Sequence, residues 1–122
     1  MRDHSELTLR KQKDFNKVYN RGKSRGSRFV VVLYRKNNLD FTRTAFVSSK
    51  KVGNSVERNR SRRIIKEAYR AVKSMVKPGY DIVFVARNTI KGHKENEVEK
   101  VLRKALADSG LFVNEWQTDN SK

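Results

Sequence analysis

The side chains with the most evident chemistry lie between positions 58 and 73: Arg58, Asn59, Arg60, Arg62, Arg63, Lys66, Arg70 and Lys73, with Glu67 the one acid among them. Stepped at about 100° per residue, as on a helix, Arg62, Arg63, Lys66, Arg70 and Lys73 share one arc of roughly 100°. Asn59 joins that arc, and Arg58 and Arg60 flank it in the first turn. A solvated helix face usually mixes signs at i and i+4. Here the acids are missing, so the cations repel one another and a polyanion relieves the repulsion. The chemistry this implies is phosphate binding, helped by the unsatisfied N–H groups of the helix start. Spacing alone leaves DNA and RNA open.

Cleaving a nucleic acid takes other groups. Two-metal hydrolysis needs clustered carboxylates. The first 78 residues offer Asp3, Glu6, Asp14, Asp40, Glu57 and Glu67, and none form a close pair in sequence. Glu95, Glu97 and Glu99 step by two, so neighbours in the series leave one helix face. Metal-free cleavage could use two histidines as acid and base, but His4 lies in a polar start and His93 in a loop. The sequence has no cysteine, which removes a thiol nucleophile, a disulfide scaffold and a Cys-based zinc site. No serine sits in a Gly-x-Ser-x-Gly elbow. The expectation is no catalytic side chain and no metal site within the protein.

The elements that must carry the ridge can be read along the chain. Its 122 residues suggest one domain, with an ordered core over about 9–108 and polar tails at 1–8 and 110–122. Residues 1–78 hold 22 Lys and Arg against 6 acids, and residues 79–122 hold 7 of each, so the whole +16 lies in the first two thirds. Such segregation points to an anionic partner, nucleic acid before membrane, since no basic helix is backed by a lipid-inserting face and the apolar arc of the basic helix is expected to pack on the sheet. No apolar run could span a bilayer and no signal peptide is visible, so the expected location is cytoplasmic.

Phe15, Val18 and Tyr19 have helical spacing, predicting a short helix over 11–20, stopped by Gly22, with Gly26 adding a turn. Residues 28–36 read as a strand with Phe29, Val31 and Leu33 on one face and Val30, Val32 and Tyr34 on the other. Residues 42–49 read as an antiparallel partner, making a hairpin. Asn54 and Glu57 form a capping box that opens a helix running to about Val76, with Ile64, Ile65, Ala68, Val72, Met75 and Val76 on its buried arc. Residues 80–86 are apolar almost throughout, as in an interior strand. Residues 95–108 form a last helix, burying Val98, Val101, Leu102, Ala105 and Leu106. The result is a small α+β sandwich. Unaided, a right-handed crossover is the expectation.

The run Ser49-Lys50-Lys51-Val52-Gly53-Asn54, continuing into Arg58-Asn59-Arg60, resembles the signature of the bacterial ribonuclease P protein subunit. Supporting segments are Lys13-Asp14-Phe15-x-x-Val18-Tyr19, Gly22-Lys23-Ser24, Phe29-Val30-Val31-x-Leu33-Tyr34 and Tyr80-Asp81-Ile82-Val83-x-x-Ala86-Arg87. The resemblance covers roughly residues 7–108. It departs at 45–48, where Ala45 replaces a usual Gly and the Ser-Val order is exchanged at Val47 and Ser48.

The resemblance implies the order α-β-β(-β)-α-β-α with a left-handed βαβ crossover. It implies a protein cofactor that helps a catalytic RNA subunit remove the 5′ leader of precursor tRNA, in a holoenzyme that requires Mg²⁺. The Arg-Asn-Arg helix would dock on the RNA subunit, with no obligate protein partner and no membrane. The leader would pass through a cleft between the first helix and the sheet, lined by Phe15, Tyr19, Val32 and Tyr34. Lys50 and Lys51 would hold its phosphates, and Arg10, Lys13 and Lys17 would extend the track. From spacing alone ordinary core is the favoured reading of these aromatics, and the resemblance reverses it. A ribosomal protein, a DNA-binding module and a self-sufficient ribonuclease are the rival readings.

Overall fold

The computed structural model describes residues 8–113. Helix α1 spans Gln12–Arg21. Strands β1 (Lys23–Gly26), β2 (Val30–Lys36) and β3 (Arg43–Ser48) follow. Helix α2 (Ser55–Val72), strand β4 (Tyr80–Ala86) and helix α3 (Glu95–Asp108) complete the order. The sheet runs β1-β2-β4-β3. β2 is antiparallel to β1 and β4, whereas β3 is parallel to β4. This is the expected α+β class, with an open mixed sheet covered by α1 on one face and by α2 and α3 on the other.

The hairpin expected between β2 and β3 is replaced by a different pairing, because β4 lies between them. Asp81–Phe84 and Ala86 of β4 are all buried, while β3 buries Ala45 alone. A strand apolar on both faces is fully covered only at the centre of a sheet, so β4 takes the interior and β3 the edge. The stretch expected as a turn at 22–26 contains strand β1. All four of its residues are exposed, so it carries no hydrophobic pattern, and main-chain pairing with β2 holds it. The turn itself lies at 27–29, where the Ser27 N–H donates to the Val30 carbonyl at 3.0 Å.

Gly22 is needed for space rather than for an unusual φ. A Cβ there would sit 2.5 Å from the Val18 carbonyl oxygen and 2.7 Å from that of Tyr34. Helix, β1 and β2 therefore meet closely at this one residue.

Strand alternation separates two cores. Val30, Val32, Phe46, Ile82 and Phe84 face α2 and α3, joining Ile65, Ala68, Leu102 and Leu106. Leu33, Ala45, Val47, Val83 and Val85 face α1 and pack with Leu9, Phe15 and Val18. The Asn54–Glu57 capping box is present. The buried side of α2 is Ser61, Ile65, Ala68, Tyr69 and Val72. The helix ends four residues earlier than expected, giving way to a 3-10 turn at Lys73–Met75. Tyr69, absent from the expected arc, packs against Phe84 and Phe46 with ring centroids 5.1 and 6.0 Å apart.

The chain stays in the fold beyond α3. Leu111 is fully buried, the Lys77 N–H donates to its carbonyl at 2.7 Å, and the Val113 N–H donates to the Met75 carbonyl at 2.7 Å. Residues 110–113 are therefore part of the fold rather than the start of a frayed tail. His4 and the rest of 1–7, like 114–122, lie outside the described residues.

Candidate nucleic-acid interface

The cationic ridge is built by α2. Its capping box fixes where the helix starts, and thereby which side chains the 3.6-residue period turns outward. Arg63, Lys66, Arg70 and Lys73 are exposed and Arg62 is half-buried. Arg62 donates to the Asn59 side-chain oxygen, so these two hold each other in place on the ridge. Arg70 pairs with Glu67 at 3.3 Å across an exposed turn, where such a pair contributes little. Arg63, Lys66 and Lys73 make no ion pair among the described residues.

The other two arginines of the signature are tied to the fold. Arg58 turns back, donating from Nη1 to the Gly53 carbonyl at 2.8 Å and from Nη2 to the Ser55 hydroxyl at 3.3 Å. Arg60 donates to the His93 carbonyl at 3.0 Å, bridging α2 to the loop before α3. Both keep their charge near the ridge while holding its first turn against neighbouring segments.

Because β3 is an edge strand, the two faces of the sheet meet along it. A groove of about 920 Å³ follows that edge. One wall is Arg62, Arg63, Lys66, Arg70 and Lys73. The other is Leu9 and Phe15, and Ala45, Phe46, Val47 and Tyr69 lie between. The Leu9 N–H donates to the Thr44 carbonyl at 2.9 Å, fastening the approach to α1 onto the same edge. Phe15 stacks with Tyr19 at 6.4 Å between centroids and 19° between planes. Tyr19 is 49% exposed, the most exposed aromatic on that side. Its partial burial raises the phenol's pKa, and burial pushes Tyr69 up to about 12, so both rings are neutral at physiological pH. Apolar and aromatic surface opposite unpaired cations is the pattern that holds an unpaired nucleic-acid strand.

Of the expected cleft residues only Phe15 lines the groove; Tyr19 stacks on it outside the lining, and the others fall elsewhere. Val32 is fully buried and Tyr34 packs against Tyr80 at 6.5 Å. Both belong to the core beneath α2 and α3, on the face opposite Phe15. The correction follows from which face α1 chooses. It covers Leu33, so the even-numbered positions of β2 point away from it. Val32 therefore cannot line the cleft, and Tyr34 does not join Phe15. Lys50 and Lys51 are exposed on a 3-10 turn past the end of β3. Arg10, Lys13 and Lys17 are exposed before and along α1. None of the five is part of the groove lining. Leu9, Phe46, Val47 and Tyr69 were not foreseen there, and only the edge position of β3 could have revealed them. At the departure over 45–48, the Ser48 hydroxyl accepts from the Ser61 hydroxyl at 2.9 Å, while Val47 packs on the α1 side.

Several acidic groups are engaged with cations or caps. Asp14 and Asp81, distant in sequence, meet on Arg43. Glu57 is in the capping box. His93 lies 2.9 Å from Glu97 through Nδ1 and packs on Phe29 at 4.4 Å. That hydrogen bond, and then the Lys94 N–H, hold the Glu97 carboxyl below its usual range. Among the described residues no three His, Asp or Glu side chains gather as metal ligands, and no helix is long and apolar enough to cross a membrane.

An open mixed sheet, helices on both faces and a cationic ridge beside an apolar groove define a small basic α+β protein shaped to meet a polyanion. The profile of the family described as Ribonuclease P matches residues 4–109. The ribonuclease P protein component of Clostridioides difficile is 45% identical over 106 residues, covering 86% of this chain and 93% of that protein. The component from a Thermoanaerobacter species is 40% identical over 107 residues, covering 88% and 92%. Among solved structures, a Staphylococcus aureus RNase P protein superposes with a TM-score of 0.78 at 31% identity, covering 87% of this chain and 97% of that one. The Thermotoga maritima RNase P protein gives 0.72 at 31% identity, covering 80% and 92%. The chain belongs to the ribonuclease P protein family, the protein component of a ribonucleoprotein that processes tRNA.

Proposed function

We propose that this chain is the protein cofactor of a ribonuclease P holoenzyme in which the RNA subunit is the catalyst. The α2 ridge docks on that RNA subunit. The groove along β3 receives the single-stranded 5′ leader of precursor tRNA, with Phe15 as the stacking surface within it, Tyr19 stacked on Phe15 outside its lining, and the ridge cations on the leader's phosphates. Lys50, Lys51, Arg10, Lys13 and Lys17 supply further positive charge outside the groove. Val32 and Tyr34 have no part in it.

The observation that carries this reading is the union of the acid-poor ridge and Phe15 as opposite walls of one groove. RNA subunit, substrate and Mg²⁺-binding phosphates crowd negative charge together. A protein of net charge +16 at that junction lowers the repulsion, with most effect at low Mg²⁺ and moderate salt. In this assignment Mg²⁺ serves the holoenzyme's RNA and the setting is cytoplasmic.

Reconstitution tests it. The protein is mixed with a bacterial ribonuclease P RNA and a 5′-labelled precursor tRNA at low Mg²⁺, with each component alone as control. Cleavage at the mature 5′ end that requires both macromolecules is the expected result. Cleavage by the protein alone assigns catalysis to protein side chains instead. Equal improvement of precursor and mature tRNA binding removes the leader from the groove.

A further inference from the structure

We propose that Asp14 is a positioning residue for the groove: by bonding to Arg43 it sets the roll of α1 over the sheet and so the place of Phe15. The inference rests on the leader-groove reading above.

Helix α1 has ten residues and no side-chain cap at its N-terminus, and it buries Asp14 and Val18. These two are four apart and therefore share a helix face. Val18 is an apolar anchor, packed with Leu33 and Val83. Phe15, half-buried, packs on the edge of the same cluster, so a second tie on the face of Val18 is what fixes how far the short helix rolls Phe15 toward the groove.

Asp14 supplies the second anchor. Its Oδ2 lies 3.3 Å from Nη1 of Arg43. The guanidinium itself is immobilised from below: Nε donates to Asp81 Oδ1 at 2.8 Å and Nη2 to Asp81 Oδ2 at 2.7 Å. Asp81 Oδ1 also accepts from Asn37 Nδ2 at 2.9 Å. Arg43 and Asp81 are directly paired in the parallel register of β3 and β4. The bidentate pair thus presents Nη1 toward α1 from a rigid platform. Phe15 follows Asp14 in the chain, so the bond that fixes one places the other against the β3 edge.

The charge count makes the tie separable from the fold. Asp81 alone neutralises Arg43, so removing Asp14 leaves no buried charge without a partner. Replacing Arg43 would strand Asp81 and risk unfolding, so the test uses Asp14.

The experiment measures, in the reconstituted holoenzyme, the ratio of affinities for precursor and mature tRNA, alongside affinity for the RNA subunit and the Tm of the free protein. The variants are Asp14→Ala, Asp14→Asn, Phe15→Ala and the Asp14→Ala/Phe15→Ala double. Asp14→Ala should lower the ratio about fivefold or more, the low end of losing one base–aromatic stack, with RNA-subunit affinity unchanged. Asp14→Asn, which retains an acceptor oxygen, should lose less. In the Phe15→Ala background Asp14→Ala should leave the ratio where it is while still lowering the Tm. A general structural role would instead lower the Tm and spare the ratio, or lower the ratio equally in both backgrounds, and either result overturns the proposal. Phe15→Ala lowering the ratio while Asp14→Ala does not overturns the positioning role alone. An unchanged ratio in Phe15→Ala overturns the groove reading and the positioning role with it.

Discussion

Asn54 and Glu57 exchange two hydrogen bonds of 2.9 Å at the first turn of α2, each side chain accepting from the other residue's main-chain N–H. The bond from the Asn54 N–H, and then Lys91, hold the Glu57 carboxyl below its usual range. A depressed folded-state value adds stability above the unfolded pKa, about 4.3 for Glu, and that stability is lost as pH falls through the folded value. Glu97 is depressed in the same direction. Denaturation midpoints of the free protein should therefore fall as pH is lowered from about 5. Glu57→Gln should flatten part of that fall and reduce the midpoint slightly near neutrality. An unaltered slope would place the acid loss in other groups.

The outward face of α2 can be tested without touching its packing. Arg63 and Lys66 are exposed and make no ion pair among the described residues. Reversing both to Glu should weaken binding to the RNA subunit. It should also flatten the log–log salt dependence by about 0.7 to 0.9 for each phosphate that the ridge no longer neutralises. The Tm should hold or rise, since two repelling cations disappear. Full affinity in the double variant would move the RNA-binding surface off the ridge.

Self-repulsion at +16 works against the compact state. An anion that binds the folded ridge stabilises it by mass action. Sodium sulfate should raise the Tm of the free protein above that in sodium chloride at matched ionic strength, and the Arg63→Glu/Lys66→Glu variant should show a smaller rise. Equal melting in the two salts counts against anion binding at the ridge.

Gly22 precedes β1 and Gly26 ends it, and the two differ in surroundings. At Gly22 an added methyl meets two carbonyl oxygens of main chain, which cannot swing aside, whereas at Gly26 it meets nothing within 4 Å. Gly22→Ala should cost about 1–3 kcal/mol, as overpacking does, read from urea denaturation. Gly26→Ala should change the midpoint little. Similar effects at both positions would remove the close approach as the cause.

The parts of this protein legible in its sequence are those decided within a few residues. The start of α2 follows from Asn54 and Glu57, and its cationic side follows from the helical period through Arg62, Arg63, Lys66, Arg70 and Lys73. The bounds of α3 and the interior character of β4 follow the same way, from local apolar pattern. Tertiary structure decided the rest. Residues 29–34 are apolar on both sides of the strand, so alternation says which side chains share a face but not which helix covers it. Packing α1 on Leu33 sent Val32 and Tyr34 to the opposite core. Strand β1 has no buried residue to announce it, and only its bonds to β2 make it a strand. The insertion of β4 between β2 and β3 is a long-range choice, made because β4 is buried on both faces whereas β3 buries Ala45 alone. That choice leaves β3 at the edge and brings Phe15 and the α2 ridge to the two sides of one groove. The ingredients of the interface are local, and their meeting is a consequence of strand order.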